Sequence, residues 1–172
     1  MELIDVIPEF NLYEEFWRVY TKGDIIPPDY IASSAVVERC IIGEGTEIYG
    51  EVYNSVIGSG VYIEAGAVVR DSIIMRQCYI GRDAVIDKAI LAENVTLGAE
   101  SILGTGEEAV NVYKPNIYGF GIATVGENSS IPPRVKIGRN TAVSGETVAE
   151  DYINGELVSG GVIIKEKAGD EA

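Results

Sequence analysis

Aliphatic residues recur through the middle of the chain at intervals of 5, 6 and 6, and the pattern restarts every 17 residues. The lines VYNSVIGSGVYIEAGAV, VRDSIIMRQCYIGRDAV and IDKAILAENVTLGAESI, written one above another, put like side chains in columns. Val37, Val52, Val69, Ile86 and Leu103 form one column. Ile42, Ile57, Ile74 and Leu91 form a second, and Ile48, Ile63, Ile80 and Leu97 a third. The line upstream, VERCIIGEGTEIYGE, opens the same way but is 15 residues long. Further on, VGENSS, IPPRVK, IGRNTA and then Val143 keep a strict spacing of six.

An amphipathic helix would repeat at three and four, and a hairpin sheet would alternate over longer runs with tight turns between partners. A spacing near six, three times per coil, predicts three short flat segments, each with one aliphatic turned inward. The fold expected is therefore all-β: a left-handed parallel β-helix of hexapeptide repeats, shaped as a triangular prism. Coils stacked at about 4.8 Å turn each column into a ladder of like side chains. Charges agree with this register, since Asp87 lies one coil from Arg70, Lys88 one coil from Asp71 and Glu93 one coil from Arg76. Each such exposed pair contributes only about 0–1 kcal/mol.

The repeat divides the chain. Residues 1–30 do not repeat; they are aromatic (Phe10, Tyr13, Phe16, Trp17, Tyr20) and end in IIPPDY. Leu12, Phe16 and Val19 have helical spacing, with Asn11 placed to cap that turn. This segment reads either as a flap over the open end of the solenoid or as a connector to a neighbouring domain. Residues 31–145 are the β-helix, with a loop leaving it at 104–124. Residues 146–172 hold two possible strands, ELVS and GVIIK, punctuated by Asn154-Gly155 and Gly160-Gly161, and then a flexible tail.

Composition narrows the function. The 172 residues carry a formal charge of −14, which argues against nucleic acid and against an anionic membrane surface. No apolar run approaches the ~18 residues of a spanning helix, and MELIDVIPEF lacks the basic region of a signal peptide. A cytoplasmic chain is expected. Cys40 falls in a column of small residues with Ser55, Ser72 and Ala89, and Cys78 in an apolar column with Val61 and Val95, so both read as buried structural thiols. Histidine is absent. Acyltransferases of this fold use a histidine base and its carbonic anhydrases use histidine ligands, so both activities are excluded in their usual forms. The pairs GEG, GSG, GTG and GFG extend to no phosphate-binding motif and read as prism corners. No catalytic and no metal-ligating residue is expected in this segment.

The stretches outside the strict repeat carry a resemblance. PEFNLYEEFWRVYT, PPDYIA, GEVYNSVIGSGVYIEAGAVVRDSIIM, AILAENVTLG and KPNIYGFGIATVGENSSIPPRVKIG resemble the C-terminal region of bacterial glucose-1-phosphate adenylyltransferase (ADP-glucose pyrophosphorylase). The likeness runs from Met1 to Asn140. It implies a longer enzyme with a separate N-terminal nucleotidyltransferase domain. That domain binds ATP and glucose 1-phosphate and, with Mg²⁺, makes ADP-glucose and pyrophosphate for glycogen synthesis. None of its motifs occurs in these residues. The β-helix part would then support assembly of a homo-oligomer, a tetramer in the parent enzyme, and help form effector sites.

Two positions depart from the pattern of effector-responsive relatives. Glu93 and Glu127 stand where basic residues are expected, and a carboxylate offers a phosphate no charge-assisted hydrogen bond. Arg134, Lys136 and Arg139 remain as the local candidates for an effector-binding anion site. Two other readings stay open, a non-catalytic regulatory paralogue of the same subunit and a free-standing structural β-helix.

Overall fold

The computed structural model describes residues 26–165 together with Ile4 and Phe16, and in it the chain winds into a three-faced parallel β-helix. The first face has six rungs, from Tyr30–Ile31 to Ser130–Ile131. The second has seven, from Val36–Glu38 to Glu156–Leu157, and the third seven, from Ile41–Ile42 to Val162–Ile164. The expected columns form, all by parallel pairing. Val37 lies over Val52, Val69, Ile86 and Leu103; Ile57 over Ile74 and Leu91; Ile48 over Ile63, Ile80 and Leu97. The column through Leu103 continues to Ile137 and Leu157, and the one through Leu91 to Val125, Val143 and Ile163. The two strands expected in the C-terminal stretch therefore form as further rungs of the prism.

Short strands suffice because each inner rung is bonded on both sides. The Glu64 N–H donates to the Ile80 carbonyl at 3.0 Å, and the Tyr79 N–H to the Val95 carbonyl at 2.9 Å. Inward aliphatics such as Ile63, Ile80, Ile86, Leu91 and Leu97 are fully buried and make one continuous core. The small column has a polar task as well. Ser72 N–H donates to Ser55 Oγ at 3.2 Å and Ala89 N–H to Ser72 Oγ at 3.0 Å, which satisfies donors at a corner where the strand ladder is interrupted. Cys40 in that column is half-buried and Cys78 buried; both are free thiols that donate to carbonyls, Cys78 to Ala92 at 3.0 Å.

The corners need left-handed backbone. Asn54, Asp71 and Lys88 occupy one corner of successive coils at φ 46, 48 and 47°, and the Asn54 amide donates to the Asp71 carboxylate. At Gly104 (φ +82°) glycine is required for a second reason, since a Cβ there would lie 1.7 Å from the Asp87 carbonyl oxygen. Outside the first face Tyr30, Tyr49, Tyr62 and Tyr79 stack in a ladder with ring centroids 5.5–5.7 Å apart. The Tyr49 hydroxyl, donating to Glu47, is pushed up to about 12. Arg76 and Glu93 pair at 2.9 Å, as the register predicts, and Asp87 lies opposite Arg70.

The two ends differ. In the first coil Ala35, Val37, Cys40 and Ile42 are only partly covered. The expected helical turn at Leu12 and Val19, with its Asn11 cap, lies outside the described residues; Phe16 is exposed. At the far end the first face stops one rung early. There residues 146–152 cross over, and the buried Tyr152 closes the core, its hydroxyl 2.8 Å from Thr147 Oγ1. Lys165 Nζ, 2.5 Å from Asp151, ties the last rung to this lid.

Three outcomes follow from this packing. Ile80→Ala removes a filled rung of the core and should cost about 2–5 kcal/mol in urea unfolding, whereas an exposed change such as Thr96→Ala should shift the midpoint little. Gly104→Ala should destabilise severely or prevent folding, because backbone must move to admit the methyl group. The Asp151 carboxyl is held below its usual range by the hydrogen bond from Lys165. Its contribution is therefore fully present above the unfolded value near 4 and is lost as pH falls through the lowered one. Acid melts of Asp151→Asn should lack that part of the loss.

Candidate functional site

The three basic residues of the candidate anion site lie on one stretch of chain but not in one environment. Arg134 sits at a corner with φ +62° and is exposed. Lys136 points outward from its rung, opposite Glu156. No ion pair engages either side chain among the described residues. Arg139 is different. Its Nε donates to the Gly104 carbonyl at 3.1 Å, and its guanidinium nitrogens lie 3.8 Å from Asp87 and 3.7 Å from Glu108. Two carboxylates thus already balance its charge.

Arg139 belongs with residues the repeat did not single out. Next to it the buried Asn140 uses both polar atoms of its side chain on the excursion at 106–122. Its Nδ2 donates to the Ala109 carbonyl at 2.9 Å and its Oδ1 accepts from the Gly121 N–H at 2.7 Å. The Asn140 carbonyl accepts at 2.8 Å from the amide of Asn111, which is also buried. Asn111 Oδ1 in turn accepts from the Tyr113 and Lys114 N–H groups at 2.9 Å, an Asx-type turn. The Val112 N–H donates to the Gly160 carbonyl at 3.0 Å. The two asparagines and Arg139 therefore clamp a 17-residue loop to the side of the prism. Neither asparagine stands in an aliphatic column, so spacing gave no sign of this; the only hint was an asparagine at a corner that needs left-handed backbone.

Glu93 and Glu127, 34 positions apart in sequence, occupy adjacent rungs of one corner. Leu91 pairs with Val125, and the Asn128 N–H donates to the Glu93 carbonyl at 2.8 Å. Arg76 balances Glu93, while Glu127 is exposed. This corner presents carboxylate where a phosphate would need a cation.

The remaining reactive groups are subdued. Burial pushes the Cys78 thiol up to about 11, so it is protonated at neutral pH. Cys40 is raised by burial too. No three His, Cys, Asp or Glu side chains are grouped to hold a metal ion among the described residues. No helix among them is long and apolar enough to cross a membrane.

Known proteins share this chain along nearly its whole length. It is 64% identical over 170 residues to a protein named glucose-1-phosphate adenylyltransferase from Lachnospira eligens, a match covering 99% of this chain and 40% of that protein. The protein of the same name from Ruminiclostridium cellulolyticum is 45% identical over 165 residues, covering 96% and 39%. The chain thus spans about 40% of the length of the curated relatives it matches. Among solved structures, a hexapeptide transferase family protein from Anaplasma phagocytophilum is 14% identical with a TM-score of 0.44, over 80% of this chain and 70% of that one. The model of the GlmU-like C-terminal hexapeptide family matches residues 28–113, half of the sequence, over the coils whose columns stack as described, and the chain belongs to that family.

Proposed function

We propose that this chain is the assembly and regulatory part of a glucose-1-phosphate adenylyltransferase, a cytoplasmic enzyme that makes ADP-glucose and pyrophosphate from ATP and glucose 1-phosphate for glycogen synthesis. The observation that carries this reading is the 64% identity along 99% of the chain to a relative more than twice its length. In the proposal, chemistry belongs to a nucleotidyltransferase domain outside these residues. Mg²⁺, in the proposal, serves that domain, where ATP and glucose 1-phosphate bind. The prism supplies a rigid body on which copies of the enzyme assemble.

Regulation follows from the charges. At the Glu93–Glu127 corner the guanidinium of Arg76 is already paired with Glu93, so sugar phosphates gain little there. An anionic effector on this part of the prism would contact Arg134 and Lys136, because Arg139 is held by Gly104, Asp87 and Glu108.

The 172 residues alone should give no ADP-glucose from ATP, glucose 1-phosphate and Mg²⁺, whereas the longer protein that contains them should. Synthesis by the short chain, or none by the long one, would sink the proposal. In the long protein, fructose 1,6-bisphosphate should change the rate little. Replacing Arg134 and Lys136 together by alanine should weaken inorganic phosphate binding about tenfold, the loss of one or two charge-assisted contacts. Arg139→Ala should instead lower the melting temperature.

A further inference from the structure

The loop at 106–122 is held by more than the coil it leaves. Ile86 and Leu91 lie five positions apart on neighbouring faces, and Leu103 and Val125 would lie five apart too without residues 106–122. The excursion is therefore one coil in length, and the columns keep register without it. It leaves at the corner after Thr105, whose rung pairs with that of Gly138, and Ile137 in turn pairs with Leu157. Two further corners thus stack on the exit, first Gly138–Asn140 and then Ser159–Gly160, and the loop climbs along both towards the C-terminal end.

Arg139 and Asn140 are the middle layer, bonded on either side. Towards the loop, the Asn140 side chain holds Ala109 and Gly121, and the Arg139 guanidinium lies 3.7 Å from Glu108. Towards the last coil, the Arg139 N–H donates to Ser159 Oγ at 3.0 Å and its carbonyl accepts from the Gly160 N–H at 2.8 Å. The loop then reaches past this layer, with the Val112 N–H donating to the Gly160 carbonyl at 3.0 Å. The approach there is tight. Gly160 is buried at φ +78°, and a Cβ on it would lie 2.4 Å from the Val110 carbonyl oxygen.

Each of the two segments is weak by itself. The last coil, residues 153–165 with the rungs Glu156–Leu157 and Val162–Ile164, has a neighbouring coil on one side only, and end coils of a solenoid fray first. The loop buries little apolar surface, since Val110, Val112, Tyr113, Ile117 and Phe120 are all exposed. We propose that the loop is a strap across the last coil, and that residues 106–122 and 153–165 open and close as one cooperative unit while the middle of the prism stays closed. Linkage makes such a unit a two-way device: whatever stiffens one segment raises the closed fraction of the other by the same factor. A site on the side of the prism and its C-terminal end would thereby share a single equilibrium. The inference stands on the geometry of this chain and does not need the adenylyltransferase reading.

Native-state amide hydrogen exchange of the 172-residue chain, followed over sub-denaturing urea concentrations, tests this. The Val112 and Gly121 amides report on the strap, those of Gly160 and Lys165 on the last coil, and those of Glu64 and Tyr79 on the middle of the prism. The first two sets should share one opening constant and one urea dependence, with openings at least about tenfold more frequent than those of the third set. Strap and coil opening separately, or both exchanging only together with Glu64 and Tyr79, would overturn the proposal. Gly160→Ala, which drives a methyl group onto the Val110 carbonyl, should speed both sets by the same factor of about ten or more, the loss of the bond between them, and leave Glu64 and Tyr79 unchanged. An effect confined to one set, or none, would refute it. A variant lacking residues 106–122 should keep the β circular dichroism spectrum yet exchange Gly160 and Lys165 faster. A last coil that exchanges at the parent rate without its strap would count against the coupling just as firmly.

Discussion

The structure depends on one constraint, that each coil hydrogen-bonds in parallel register to the next along three separate ladders. No strand among the described residues exceeds four residues and most have two or three, so none would persist alone. Strands this short hold because each coil meets the next in register on every face at once, with a spacing of 17 residues through the middle coils. A slip of one residue would turn the inward aliphatic of a rung outward and bring its polar neighbour into the core. The columns of Val, Ile and Leu are thus both the packing and the register mark. The corner asparagines, aspartates and glycines follow from it, since a chain that must turn after so few residues needs left-handed backbone at each turn.

That dependence explains what could be read without coordinates. A column of like residues at a fixed interval is a direct image of stacking, and Val52, Val69 and Ile86 or Ile63, Ile80 and Leu97 met as their spacing required. The Arg76–Glu93 pair came from the same arithmetic. The strands at Glu156–Leu157 and Val162–Ile164 were visible as strands, but their intervals depart from six, so that they prolong the prism was not. The clamp was hidden for a different reason. Asn111, Asn140 and Arg139 act through single hydrogen bonds to backbone groups of a non-repeating segment, and such bonds leave no periodicity. Ser55 and Ser72 were seen only as small; their hydroxyls also accept backbone donors at a corner.

The electrostatic picture is likewise set by stacking. Side chains distant in sequence share a corner, and their sum decides what can bind there. Glu93 and Glu127 share a corner across adjacent rungs, where Arg76 balances the first and the second stays exposed. Arg139, the most enclosed of the three basic candidates, is spent on shape. Arg134 and Lys136 keep their charge at the surface. Sequence proximity made these three look like one site, and the prism separates their duties.

A stack of identical-looking coils has no built-in reason to stop growing, and here termination is uneven. The segment 146–152 lies where a seventh rung of the first face would go, and Tyr152 fills the core beneath it. A foreign strand arriving at that end finds partners on two faces and an obstacle on the third, so end-on polymerisation is refused there by geometry rather than by charge. The opposite end, with Val37 and Ile42 half covered, has no such stop among the described residues. Over those residues the two ends are thus unlike, one blocked on a single face by the crossing segment and Tyr152, the other with its first coil half covered.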